Sequence, residues 1–420
     1  MNNRVKARYI IETAHSVEEA AASLAGEQSS GTFLAVPGET IELKQKHGAR
    51  IEHIELKGES ANPSLPEATI PKNSGTPVYK QAEIEVSWPI ENIGINLSNL
   101  MATVAGNLFE LNPFSALRLL DIEIPESYAT KYKGPQFGIQ GTRKLTSVYD
   151  RPIIGTIIKP SVGLTPEQTA IQTKTLVEAG LDFLKDDELM GDSPHSPFEK
   201  RVDVVMDVIN RVAENTGKKP MFAFNISGDV DDMLRRHDYV LMKGGTCIMV
   251  SLNWIGISAL AKLRDHCQLP IHGHRNGWGL MYRSPHIGID FTAYQKIWRL
   301  AGADHLHTNG LRNKFCETDL SVIISIKACQ KTEVGHTVMP VISSGQWAGQ
   351  AVDTYNAIGN ADLMYVCGGG IVAHPAGIAA GVNSIQQAWE AAMKRIPLSD
   401  YAKEHNELKV ALDFFGKAKA

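Results

Sequence analysis

The second half of the chain alternates two patterns. Short apolar runs occupy 153–159, 181–187, 221–226, 247–252, 270–275, 305–308, 338–343 and 363–366. Between and after them, apolar positions recur every three or four residues through 166–179, 198–213, 230–241, 255–265, 291–301, 320–328, 348–358 and 378–393. The first pattern predicts strands and the second amphipathic helices, because a strand alternates its faces while a helix brings every third or fourth residue to one side. Strand and helix alternating eight times over about 250 residues predict an α/β fold with a closed (β/α)8 TIM barrel. A doubly wound open sheet is the alternative, but no Gly-x-Gly-x-x-Gly turn follows the first strand.

Residues 1–130 read differently. Strand patterns at 9–12, 32–36, 49–56 and 82–88, with helical patterns at 17–26 and 95–108, predict an α+β, ferredoxin-like N-terminal domain. The Pro- and Ser-rich stretch 59–75 predicts a long loop, and 127–138 a link into the barrel domain at 131–400. A helical tail at 401–420 is expected to cap the barrel.

Composition narrows the class. Over 420 residues, 43% hydrophobic and 21% charged content are those of a soluble globular protein. A formal charge of -4 gives no basic footprint for nucleic acid. No apolar run reaches membrane-spanning length, and Met1-Asn2-Asn3-Arg4-Val5-Lys6 leads into no signal core. Five cysteines without paired spacing argue against disulfides or a zinc site, so the expected compartment is the reducing cytoplasm.

Barrel active sites gather where strands end at their C-terminal side, and the polar residues cluster there. The first strand ends in Lys159-Pro160, the fifth in His272-Gly-His274-Arg275-Asn276, and the sixth in His305-Leu-His307-Thr-Asn309. The seventh ends in Ser343-Ser344-Gly345-Gln346, the eighth in Cys367-Gly368-Gly369-Gly370. The second is the most informative: Lys185-Asp186-Asp187-Glu188 follows an apolar run. Crowded carboxylates invite a cation, and their hard oxygens suit Mg2+. Lys185 joins them as a ligand only if its neutral amine takes up CO2 to become a carbamate. A salt-bridged surface cluster is the plainer reading of these four residues alone. Ser343, Gly345, Gly368 and Gly369 lie where barrels commonly hold phosphate, and His274 and Arg275 offer donors to hydroxyls or a second anion. Mg2+ on Lys185, Asp187 and Glu188 would stabilise an enediolate, with Lys159 moving a proton or neutralising the enolate. The residues therefore point to enolate chemistry on a phosphorylated sugar derivative.

These motifs resemble those of the RuBisCO superfamily, in its RuBisCO-like (form IV) branch, from about residue 10 to 395. Gly180-Leu-Asp-Phe-Leu-Lys185-Asp186-Asp187-Glu188 is the most specific match, joined by Gly155-Thr-Ile-Ile-Lys159-Pro160, Glu27-Gln-Ser-Ser-Gly-Thr32-Phe33 and Ala105-Gly106-Asn107-Leu108-Phe109. The resemblance implies that Lys185 is carbamylated, that Asp187 and Glu188 complete the Mg2+ site, and that Asp186 stays outside it. His274, Arg275, His307, Ser343, Gly345, Gly368 and Gly369 fall where the family contacts substrate. It also implies a homodimer in which Glu27, Thr32 and Asn107 complete the partner's site. Departures bear on the reaction: Ser161 replaces the carboxylases' second lysine, Phe33 a tryptophan and Trp278 a histidine, which argues against CO2 fixation. Lys314 is retained seven places beyond His307, as a candidate carboxylate-handling residue or as a solvated loop lysine.

The blocks 272–279 and 309–315 resemble the branch that includes 3-oxo-isoapionate-4-phosphate decarboxylases, which implies release of CO2 and erythrulose phosphate. The alternatives are proton-transfer isomerisation of 5-methylthioribulose 1-phosphate or its diketo derivative in methionine salvage, and a non-catalytic binding role on an enzyme scaffold. Convergence of Lys159, Lys185, Asp187 and Glu188 speaks against the last.

Overall fold

The computed structural model describes residues 3–30, 36–72, 75–333 and 336–419. They fall into two compact units, one formed by Met1–Tyr132 with Gly277–Leu300, the other by Lys133–Asn276 with Ala301–Ala420.

In the first unit, strands Arg4–Thr13, Arg50–Ser60, Tyr79–Pro89 and Phe114–Glu123 pair antiparallel in the order fourth, first, third, second. Helices Val17–Glu27 and Leu97–Ala105 follow the first and third strands, which makes the arrangement ferredoxin-like. Alternation sets the register. Val5, Ala7, Tyr9 and Ile11 are all buried and sit opposite Trp88, Val86, Ile84 and Ala82. The strand Phe114–Glu123 escaped the sequence reading because its first six residues are all buried, which erases the period of two. Helix Ile41–His47 was also unforeseen, and the expected strand at 32–36 lies outside the described residues except for Val36. The helix expected over 95–108 stops at Ala105. At Gly106 an added Cβ would sit 2.2 Å from the Ala102 carbonyl oxygen, and a 3-10 turn, Asn107–Glu110, follows.

The segment between the fifth and sixth barrel strands returns to this unit. Its short strand Ile287–Ile289 pairs parallel with Phe114–Glu123 as a fifth member of the sheet. Arg118 fastens it, with Nε 2.6 Å from Asp290 Oδ1 and Nη1 2.6 Å from the Ser284 carbonyl.

The second unit is a closed barrel of eight parallel strands: Ile153–Ile157, Phe183–Lys185, Met221–Asn225, Cys247–Ser251, Ile271–His274, His305–Asn309, Met339–Ser343 and Met364–Val366. All eight expected strands are present. Phe183, Ala223, Met249, Val341 and Val366 are among the buried residues that fill the interior. Gly155 leaves room for Phe183, whose ring would lie 2.8 Å from an added Cβ. Helix Pro166–Glu178 starts where sequence chemistry dictates, with Thr165 and Gln168 forming a reciprocal cap and Pro166 in the first turn. Helix Gly138–Thr146, unforeseen, adds Ile139 to the core and is held at its start by Asp304, which accepts from the Phe137 and Gly138 amides. The tail helix Asn406–Lys419 lies along Ile378–Lys394, with Leu408 and Ala411 fully buried and the Phe415 ring 5.7 Å from Trp347. No helix among the described residues is long and apolar enough to cross a membrane.

Candidate active site

Strand parity sorts the charged run. Phe183 belongs to the barrel core, so Lys185 and Asp187 share its side while Asp186 takes the opposite one. Asp186 is fully buried and its Oδ2 accepts from the Asn225 amide at 3.0 Å and from Arg201 Nη2 at 3.4 Å. Burial raises its pKa, with Arg201 opposing. Arg201, on helix Phe198–Thr216, also donates to the carbonyls of Met190, Gly191 and Ser196, and so pins the loop that follows the acids.

Lys185 is 1% exposed. Its Nζ donates to the Asp186 carbonyl at 2.8 Å, sits 3.4 Å from Met249 Sδ, and lies 3.8 Å from Glu188 Oε2. Burial lowers its pKa against the pull of Glu188 and Asp187, which favours the neutral amine that CO2 requires. Asp187 accepts from Lys159 Nζ at 2.5 Å and from the Leu189 amide at 3.1 Å. Burial pushes its carboxyl up, but Lys159 and that amide outweigh it and hold the pKa down. Glu188 stays partly exposed, 3.5 Å from His274 Nε2. Asn225, at the end of the third strand, donates to the Asp187 and Glu188 carbonyls. It was not singled out from sequence, although its polarity at a strand's C-terminal end was a usable signal.

Lys159 leaves the first strand exposed and also donates to Ser161 Oγ at 2.6 Å. The residue that replaces the carboxylases' second lysine is thus a partner of the first. On the fifth and sixth strands, His274 lies with its ring centroid 4.4 Å from that of His307, and burial next to Lys185 pushes its pKa to about 4. His307 Nδ1 is 3.2 Å from Ser343 Oγ. Arg275 Nη2 is 2.9 Å from Glu317 Oε2, which also receives Asn309. No spacing in the sequence pairs Glu317 with Arg275. Ser344 and Gly345 both take left-handed φ, 74° and 83°, which bends the chain sharply after the seventh strand. Gly368 precedes the short helix Gly369–Val372, and at both glycines an added Cβ would meet open space. The first N–H groups of any helix have no acceptor within it, so they are available to an anion. Lys314 sits on an exposed loop with its Nζ 5.2 Å from the Phe315 ring centre.

In the first unit, Glu27 and Asn107 are exposed at neighbouring points: Gln28, with its amide oriented to satisfy both groups, donates to the Ala102 carbonyl and accepts from the Asn107 amide, each at 3.1 Å. Thr32 and Phe33 lie outside the described residues. Trp278 is buried among Tyr282, Phe291 and Tyr294.

The donor set around Lys185 fits a hard divalent ion. Two carboxylates, both acting on one buried amine, become three oxygen donors once that amine carries CO2, and Mg2+ retains open positions when bound by so few protein groups. The described residues hold another group of ligand type, His237, Asp238 and His266. There Asp238 Oδ1 already pairs with both histidines, and His237 Nε2 accepts from the Gln268 amide, so the cluster is satisfied by hydrogen bonds.

A barrel of this topology carries lysine and two acids at the end of its second strand. The models for the catalytic and N-terminal domains of the ribulose bisphosphate carboxylase large chain match residues 138–415 and 3–128. The chain belongs to the RuBisCO large-chain family. It is 51% identical, over 99% of its length and 100% of the other, to a protein of Xanthobacter autotrophicus named 3-oxo-isoapionate-4-phosphate transcarboxylase/hydrolase. It is 43% identical, over 98% of each chain, to a 3-oxo-isoapionate-4-phosphate decarboxylase of Rhizobium rhizogenes. The crystal structure of a rubisco-like protein from Burkholderia fungorum superposes with a TM-score of 0.92 at 44% identity, covering 98% of this chain and 100% of that one.

Proposed function

We propose that this protein is a carbon–carbon lyase of the RuBisCO-like group that removes CO2 from 3-oxo-isoapionate 4-phosphate and leaves erythrulose phosphate. The observation that carries the reading is the separation of roles on the second strand: Lys185, Asp187 and Glu188 gather while Asp186 is tied to Arg201. The named relatives at 43–51% identity supply the substrate. Lys185 as its carbamate, Asp187 and Glu188 would hold Mg2+, which when bound supplies Lewis-acid stabilisation of negative charge on neighbouring substrate oxygens. In a β-keto acid the bond to the carboxylate breaks, its electron pair moves onto the keto oxygen, and a proton must return to carbon. Lys159 would give that proton, a role supported by its contact with Asp187. Ser343, Gly345, Gly368 and Gly369 would take the phosphate, and His274, Arg275 and His307 the hydroxyls. Lys314 would meet the departing carboxylate. The same reading makes the protein a cytoplasmic homodimer in which Glu27, Thr32 and Asn107 of one copy serve the other's site.

A second reading has its own support, since the relative at 51% identity is named a transcarboxylase/hydrolase. Carboxyl-labelled substrate separates the two. Decarboxylation sends the label into CO2; label retained in a non-volatile acid establishes the second reading, and turnover only of 5-methylthioribulose 1-phosphate or its diketo derivative removes both. Lys159→Met is expected to lower kcat by about 100-fold, the scale for losing one charged donor at a reacting oxygen. A change confined to KM would deny Lys159 a part in the chemical step.

A further inference from the structure

Three buried histidines form a continuous chain through the barrel. His305 Nε2 is 2.9 Å from Thr142 Oγ1, and His305 Nδ1 is 3.3 Å from His272 Nδ1. His272 Nε2 is 2.8 Å from His307 Nε2, and His307 Nδ1 is 3.2 Å from Ser343 Oγ. Each ring nitrogen is thus spoken for, and each contact has room for one proton.

The far end decides who owns it. Thr142 Oγ1 donates to the Gly138 carbonyl at 2.5 Å, a separation at which two oxygens without a proton between them would repel. Its hydroxyl proton is committed there, so Thr142 faces His305 as an acceptor and His305 carries its proton on Nε2. A neutral imidazole has one donor and one acceptor. His305 Nδ1 must then accept from His272 Nδ1, His272 Nε2 from His307 Nε2, and His307 Nδ1 from the Ser343 hydroxyl. Burial keeps all three rings neutral, His305 with its pKa lowered to about 3 and the others well below the ordinary histidine range.

We propose that Thr142, His305 and His272 are positioning residues, which hold His307 as its Nε2–H tautomer and aim the Ser343 hydroxyl proton at His307. The active site then meets Ser343 through its oxygen lone pairs, with its proton already engaged. This rests on the reading that His307 and Ser343 serve the substrate, and extends it to three residues with no contact to substrate of their own.

Neutron diffraction from the perdeuterated enzyme reads the tautomers directly. Deuterium is expected on Nε2 of His305 and His307 and on Nδ1 of His272. Thr142→Val removes the acceptor, so all three rings should invert, and kcat should fall roughly 10- to 100-fold, as when a working histidine loses its orienting partner. Thr142→Ser should keep both tautomers and rate. Deuterium on His307 Nδ1 in the wild type, a doubly protonated ring in the chain, or unchanged tautomers in Thr142→Val would overturn the polarity; inversion with unchanged turnover would overturn the positioning role. Lys185→Ala tests the metal site separately, since it should leave the three tautomers as they are.

Discussion

Lys185→Ala is expected to cut turnover by about 1,000-fold or more, because on the proposed reading it removes a metal ligand, and the loss of a single hydrogen-bond donor already costs ~100- to 1,000-fold. Strand parity sends Lys185 inward, where it is 1% exposed and meets Glu188 at 3.8 Å. Among the described residues, an ammonium there has only a backbone carbonyl and a thioether as partners at closer range. Burial therefore favours the free amine, and on the proposed reading CO2 would convert that amine into an anion that two carboxylates and a cation could share. A second readout does not depend on activity. Labelled bicarbonate with Mg2+ should give one lysine carbamate resonance in the wild type, and none in Lys185→Ala. Full activity in the variant, or a persisting resonance, would remove the metal site from the account.

Arg201→Met should destabilise the barrel by about 3–5 kcal/mol, the usual cost of leaving a buried charge without its partner. Arg201 and Asp186 are both fully buried, and Arg201 also holds three carbonyls of the loop after the second strand. Melting temperature should drop on the order of 5–10 °C at constant protein concentration. Adding Asp186→Asn should recover part of the loss, since the uncompensated carboxylate is then gone and the two sites are coupled. A shift below about 2 °C would mean that Asp186 finds another partner or takes up a proton at little cost. Turnover should also fall, because the loop that carries Asp187 and Glu188 loses its anchor.

The two predictions draw on different levels of the molecule. The charged run was legible in the chain as four ionisable residues after an apolar strand, and its parity follows from the pleat. Arg201 as the partner of Asp186 was not legible, because fifteen residues and a loop separate them and nothing local selects one arginine over another. Glu317 is similar: in sequence it is one loop acid among others, whereas in the fold it holds Arg275 at 2.9 Å. Asn225 lies between these cases, visible as a polar strand end but meaningful only once the third strand stands beside the second.

The sequence by itself determined the barrel, because periods of two and 3.6 residues follow from backbone geometry and survive without knowledge of any neighbour. It also marked the strand ends at which ionisable and polar residues would gather, since such residues at successive strand ends have no folding purpose in common. Only the tertiary structure decided the strand Phe114–Glu123, whose first six residues are uniformly buried, and the return of Ile287–Ile289 to the first sheet. It alone joined Thr142, His305, His272 and His307 into one chain. Hydrogen-bond direction depends on which atoms end up adjacent across strands, and that adjacency is set by long-range register and by barrel closure.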